Sequence, residues 1–185
     1  MHVHLKKLSL AAMLLALGIL LPFVTGQIPA VGSMLLPMHL PVLLCGLVCG
    51  WQYGLAVGFI LPILRSFLFS MPPMFPTAVS MAFELATYGF VLGLLYARSK
   101  WHCIVSLYRC LFISMLAGRA AWGVVQMLLL GVGEDGFTFM MFLSGAFLNA
   151  IPGILLQLIL IPLIMVALRK TKLIPNDHAK KIHSK

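Results

Sequence analysis

Hydrophobic residues in this chain come in long unbroken runs, not in the two-residue alternation of a barrel strand. The first run extends from Leu8 to Val24, behind Lys6 and Lys7. A stretch from Thr25 to Ser33 follows, and its Gly26, Pro29, Gly32 and Ser33 read as loop. A second run opens near Pro37 or Pro41, where proline suits a first helical turn, and ends by Gly50. The third is Gly54 to Phe69, preceded by Trp51-Gln52-Tyr53, which reads as an interfacial aromatic turn. Met71-Pro72-Pro73-Met74-Phe75-Pro76 is too rich in proline for a helix interior. The fourth run is Thr77 to Ala97, the fifth Leu111 to Leu130 and the sixth Phe139 to Leu168. A bilayer core about 30 Å thick takes roughly 17–25 residues of helix. The pattern predicts an all-α integral membrane bundle of six transmembrane helices, spans 8–24, 37–50, 54–69, 77–97, 111–130 and 139–168. These form one transmembrane domain over residues 1–185 with a basic tail at 169–185. The second run is short for a full span, and the sixth is long enough to tilt.

Composition agrees. Of the 185 residues, 62% are hydrophobic and 9% charged, whereas soluble domains average about 45–50% apolar and about 25% charged. A chain so poor in charge cannot cover a soluble surface. In lipid every backbone amide needs an internal partner, which leaves helices as the spanning structure here. A secretory signal peptide starts similarly, but its apolar region is only about 7–15 residues. The first run is longer, so it reads as a retained span.

Charge gives the orientation. With both termini inside, the inner side holds Lys6, Lys7, Arg98, Lys100, Arg109, Arg169, Lys170, Lys172, Lys180, Lys181 and Lys185. The outer loops carry no lysine or arginine and hold Glu134 and Asp135. That is the positive-inside pattern, and it predicts an N-in/C-in chain. The net charge of +9 then reflects topology and attraction to an anionic inner leaflet. Basic residues split between two ends and one loop argue against a nucleic-acid partner.

Arg65, Glu84 and Arg119 fall inside spans. A charge at membrane depth costs about 2.5–3.5 kcal/mol on insertion scales, so it faces the bundle interior and marks a functional site. Counted from the predicted outer ends at about 1.5 Å per residue, Arg65 lies roughly 6 Å deep, Glu84 roughly 10 Å and Arg119 roughly 16 Å. Gln126, Asn149 and His39 also sit toward the outer face, and Asn149-Ala150-Ile151-Pro152-Gly153 suggests a locally opened helix. Together these residues sketch a polar pocket reached from outside. Two arginines against one glutamate leave a surplus positive charge, which predicts a monoanionic substrate held in a bidentate arginine fork. The competing reading has Arg65 snorkelling to the outer interface, with Glu84 and Arg119 a structural pair.

Other chemistry is sparse. Cys45 and Cys49, four apart, read as small hydrophobes, with no metal and no cofactor expected. Cys103 and Cys110 fall on the reducing inner side and are expected to be free thiols. The twelve methionines suit flexible packing. No phosphate-binding Walker loop occurs, so energy from ATP must come from another chain. No His-Glu-x-x-His or Gly-x-Ser-x-Gly occurs, and nothing argues for an enzyme.

Three local features carry a resemblance. Ala12-Met13-Leu14-Leu15-Ala16 places small residues four apart on the first helix, a spacing that lets another helix approach closely. Leu36-Pro37-Met38-His39-Leu40-Pro41-Val42-Leu43-Leu44-Cys45-Gly46 is the second. The third is Met71-Pro72-Pro73-Met74-Phe75-Pro76-Thr77-Ala78, followed by Met81-Ala82-Phe83-Glu84. With six short spans, the chain from Leu8 to Leu168 resembles the substrate-binding S component of an energy-coupling factor (ECF) vitamin transporter. The two longer motifs are similar to the branch assigned to pantothenate. The resemblance implies a multi-pass protein of the bacterial plasma membrane that takes a vitamin from the outer side. The loop from about Thr25 to Leu36 would cover the vitamin. Ala12 and Ala16 would dock a transmembrane T component, which works with two cytoplasmic ATPases, and the S component would topple in the membrane to carry its site inward. Pantothenate has one carboxylate, an amide and two hydroxyls. It suits one surplus arginine, Arg119 or Arg65, with Glu84, His39, Gln126 and Asn149 as hydrogen-bond partners. Another vitamin or precursor (a hydroxymethylpyrimidine, pyridoxine or folate), a structural subunit of a membrane complex, and a small membrane enzyme are the competing readings.

Overall fold

A computed structural model describes residues 2–24, 36–99, 103–131, 138–145 and 150–170. Six main helices carry the fold: α1 (His2–Val24), α2 (His39–Val48), α3 (Trp51–Phe69), α4 (Val79–Arg98), α5 (Ile104–Leu130) and α6 (Ile151–Lys170). A short helix, Phe139–Leu143, precedes α6. No strand occurs among the described residues. Five helices, all but α2, are long and apolar enough to cross a membrane. Phe67, Leu128, Met140 and Ile159 are among many large apolar side chains exposed on the outside of the bundle. A soluble protein rarely leaves so much apolar surface open, and here it faces lipid.

The helices run past the apolar windows that predict them. α5 starts at Ile104, so Arg109 stands exposed on a helix and not in a loop. α1 reaches back to His2 and carries Lys6 on its exposed surface. Hydropathy drops at the first charge, but intrahelical hydrogen bonding does not, so the helix continues into water. Trp51-Gln52-Tyr53, expected as a turn, is the first turn of α3. The break lies one residue earlier, at Gly50, whose φ of 104° only glycine adopts freely. α3 closes on Ser70, whose N–H donates to the Ser66 carbonyl at 2.8 Å. The proline-rich segment then forms a wide turn, Met74–Ala78, with extended chain at Phe75.

α2 has ten residues, about 15 Å of helix, too short to cross the bilayer core. All of its residues from His39 to Leu47 are buried. A helix that is hydrophobic all round belongs inside a protein, and α2 packs against α1, α3, α4 and α6. It is the central post of the bundle.

α2, α3 and α4 meet through glycines. Gly54 of α3 meets Gly89 of α4, Gly58 of α3 meets the α4 backbone at Leu85 and Ala86, and Gly93 of α4 meets the backbone of Trp51 and Gly46. A Cβ on Gly54 would come within 2.7 Å of the Gly89 carbonyl oxygen, and one on Gly46 of α2 within 2.6 Å of the same atom. Small residues four apart let membrane helices pack backbone to backbone. On α1, Gly18 makes room for the Leu61 side chain of α3. Its buried stripe is Ala11, Leu14, Gly18 and Pro22. Ala12 and Ala16 lie on the opposite, exposed face.

Candidate functional site

The core changes character along its length. Toward the end where α5 begins and α6 finishes it is apolar, filled by Leu92 and Tyr96 of α4, Leu107 and Leu111 of α5, and Ile161 and Met165 of α6. Toward the other end the same helix faces carry His39, Glu84, Arg119, Gln126 and Gln157, all buried. Polar groups at this depth need partners or a ligand.

Glu84 is the hub. Arg119 Nη1 donates to its Oε1 at 2.9 Å. The Tyr88 hydroxyl donates to the same oxygen at 3.2 Å. His39 Nε2 stands 3.5 Å from it, at the outer limit of a hydrogen bond. Three helices thus converge on one carboxylate oxygen. The turn before α4 is pinned one helical turn upstream, where the Ser80 hydroxyl donates to the Pro76 and Thr77 carbonyls at 3.0 Å each. Tyr88 is set by its neighbours: its ring meets His39 edge-on at 5.2 Å and lies so close to Gly118 that a Cβ there would come within 2.8 Å of it. Gly118 precedes Arg119, so one contact bears on two of the three partners of Glu84. α4 begins at Val79, two residues after the predicted Thr77, and the wide turn precedes it. Glu84 is about 8 Å along α4 and meets Arg119, about 16 Å from the end of α5, through their ion pair.

The cluster is incompletely satisfied. Arg119 Nε and Nη2, Gln126 Oε1 and Gln157 Nε2 are buried without a hydrogen-bond partner. Each such group costs about 1–3 kcal/mol. Nε and Nη2 form one edge of the guanidinium, with their hydrogens pointing the same way. That edge takes a carboxylate with two parallel bonds.

Arg65 makes different contacts. It is buried, its Nη1 donates to the Ile19 carbonyl at 2.6 Å, and its guanidinium lies 5.3 Å from the Phe23 ring centre and 5.7 Å from that of Phe69. These contacts fasten the end of α1 to α3 and do not join Arg65 to the Glu84 cluster. The charge surplus therefore falls on Arg65, while Glu84 neutralises Arg119. Asn149, Glu134, Asp135, most of the segment from Thr25 to Leu36 and the tail beyond Lys170 lie outside the described residues.

Sequence reasoning missed Tyr88 and Gln157. Tyr88 is four residues after Glu84 and so shares its helix face. Gln157 interrupts an otherwise apolar run from Ile154 to Val166 save for Pro162. Cys45 and Cys49 are free thiols in the apolar core. The described residues contain no group of three or more His, Cys, Asp or Glu able to hold a metal.

A polytopic bundle with a buried, half-satisfied polar cluster has the form of a membrane substrate-binding subunit. The chain matches the family described as ECF transporter, substrate-specific component, over residues 6–165, and it belongs to that family. It is a multi-pass cell membrane protein. Membership implies a small-molecule substrate and T-component and ATPase partners in the membrane, and makes the chain a transporter subunit, not an enzyme. No curated protein and no solved structure matches the chain.

Proposed function

We propose that this S component binds pantothenate from the outer face, with both termini inside, and delivers it inward once coupled to a T component and two ATPases. The open Nε–Nη2 edge of Arg119 carries the reading. A buried guanidinium with one nitrogen already on Glu84 and its Nε–Nη2 edge unmet fits the carboxylate of a small acid. Glu84, Tyr88 and His39 hold the arginine in place, Gln126 and Asn149 add polar contacts, and Arg65 braces the end of α1. The motifs around His39 and between Met71 and Glu84 support the pantothenate branch. Ala12 and Ala16, exposed on α1, suit a close-packing partner helix, the T component.

One observation favours a second reading. Glu84 already neutralises Arg119, so a neutral vitamin such as pyridoxine or a hydroxymethylpyrimidine could use the same edge through a hydroxyl or ring nitrogen. Isothermal titration of the purified chain in detergent with pantothenate, pyridoxine and a hydroxymethylpyrimidine separates the readings. Nanomolar binding of pantothenate alone, roughly −12 kcal/mol, is the expected result. Binding of a neutral compound instead moves the proposal to the second reading, and no binding by folded protein to any of the three overturns both.

A further inference from the structure

We infer that Gln157 of α6, with Gln126 of α5, forms a second polar subsite that reads the end of the ligand remote from its carboxylate. This rests on Arg119 holding that carboxylate. Gln157 is 1% exposed and Gln126 7%, and each has one end of its amide without a hydrogen-bond partner. Burying an amide group with nothing to bond is unfavourable, and two such groups on packed helices call for a third party that bonds to both. An amide oxygen accepts and an amide nitrogen donates. Hydroxyl groups, which do both, match the pair.

Placement supports one ligand spanning both subsites. Gln126 is seven residues beyond Arg119 on the same inward stripe of α5, two helical turns or roughly 10 Å along the axis. The Phe142 ring packs over Gly123, which lies between them, so a ligand reaching both passes beside that ring. Gln157 continues the buried stripe of α6 outward from Ile161 and Met165, and α6 packs on α5. The substrate class is then a linear acid with a carboxylate at one end and a terminal hydroxyl roughly 10 Å away, about three residues' length of extended chain. Pantothenate has those dimensions. A compact ring vitamin reaches one subsite only.

The test titrates two probes into the wild-type chain and Gln157→Met, in detergent. The probes are pantothenate and N-tert-butylacetyl-β-alanine, which keeps the carboxylate and amide but lacks both hydroxyls. Gln157→Met should weaken pantothenate at least tenfold and leave the dehydroxylated probe within twofold. The ligand-free variant should melt at or above the wild-type temperature, because the substitution removes a buried N–H that has no partner. Equal losses for both probes with a lowered melting temperature would make Gln157 a structural residue and overturn the inference, and so would unchanged affinity for pantothenate. If the wild-type chain binds pyridoxine and not pantothenate, the carboxylate reading falls. Gln157 is then tested on pyridoxine: a tenfold loss in Gln157→Met keeps it as a binding residue, and no loss removes it.

Discussion

Arg65 and Arg119 are both buried arginines in the same end of the bundle, yet their surroundings differ. Arg65 gives a hydrogen bond to the Ile19 carbonyl and lies against the rings of Phe23 and Phe69, which themselves meet edge-on at 5.0 Å. Arg119 has Glu84 on one nitrogen and nothing on Nε and Nη2. The first arginine is a brace, its charge met by a carbonyl dipole and two aromatic faces. The second has an edge reserved. Charge alone does not distinguish them, because the arginine with a carboxylate partner is the one with open valence.

That contrast can be broken most severely at Arg119. Arg119→Ala leaves Glu84 buried without its cation, which costs about 3–5 kcal/mol, and pantothenate binding should be lost. Because such a variant can fail to fold, Arg119→Lys serves beside it. Lysine keeps the charge for Glu84 but lacks the fork, so affinity should fall at least tenfold, about 1.4 kcal/mol, in a protein that still purifies folded. Arg65→Met should do the reverse. It removes a charged hydrogen bond worth about 1.5–3 kcal/mol and lowers the thermal midpoint, while titration finds affinity within threefold of wild type. Glu84→Gln sharpens the point further. The ligand-free protein should melt lower because Arg119 loses its counter-charge, and an anionic ligand should raise the melting temperature by more than it does in the wild type. The smallest effect on binding belongs to the far side of α1. Ala12→Trp and Ala16→Trp should leave ligand affinity unchanged and abolish co-purification with the T component; a variant that still co-purifies would remove that face from docking.

Much of this architecture is legible in the residues, for definite reasons. Six apolar runs and the rarity of charge lead to the helical bundle because lipid admits few alternatives. The rarity of intramembrane charge likewise singles out Glu84 and Arg119 before any coordinates. Helix ends were less legible. Gly50 breaks the chain through a backbone angle that hydropathy does not register, so Trp51-Gln52-Tyr53 reads as a turn but folds as helix. The close approach of Gly54 to Gly89, and of Gly58 to the backbone at Leu85, uses small residues plain in the sequence, though nothing local says which backbone each one meets. Which arginine pairs with Glu84 depends on how α3 and α5 are rotated in the bundle, a tertiary property. Tyr88 and Gln157 escape notice because a single tyrosine or glutamine in a span is not costly enough to stand out, unlike a charge.

The most direct test compares pantothenate with panthenol, its neutral alcohol analogue, by titration of the wild-type chain, Arg119→Lys and Arg65→Met. In the wild type pantothenate should bind at least 100-fold more tightly, about 2.7 kcal/mol. The preference should shrink sharply in Arg119→Lys and persist in Arg65→Met. A preference that survives in Arg119→Lys and disappears in Arg65→Met would reverse the roles of the two arginines, and equal binding of both compounds by the wild type would contradict a carboxylate on Arg119.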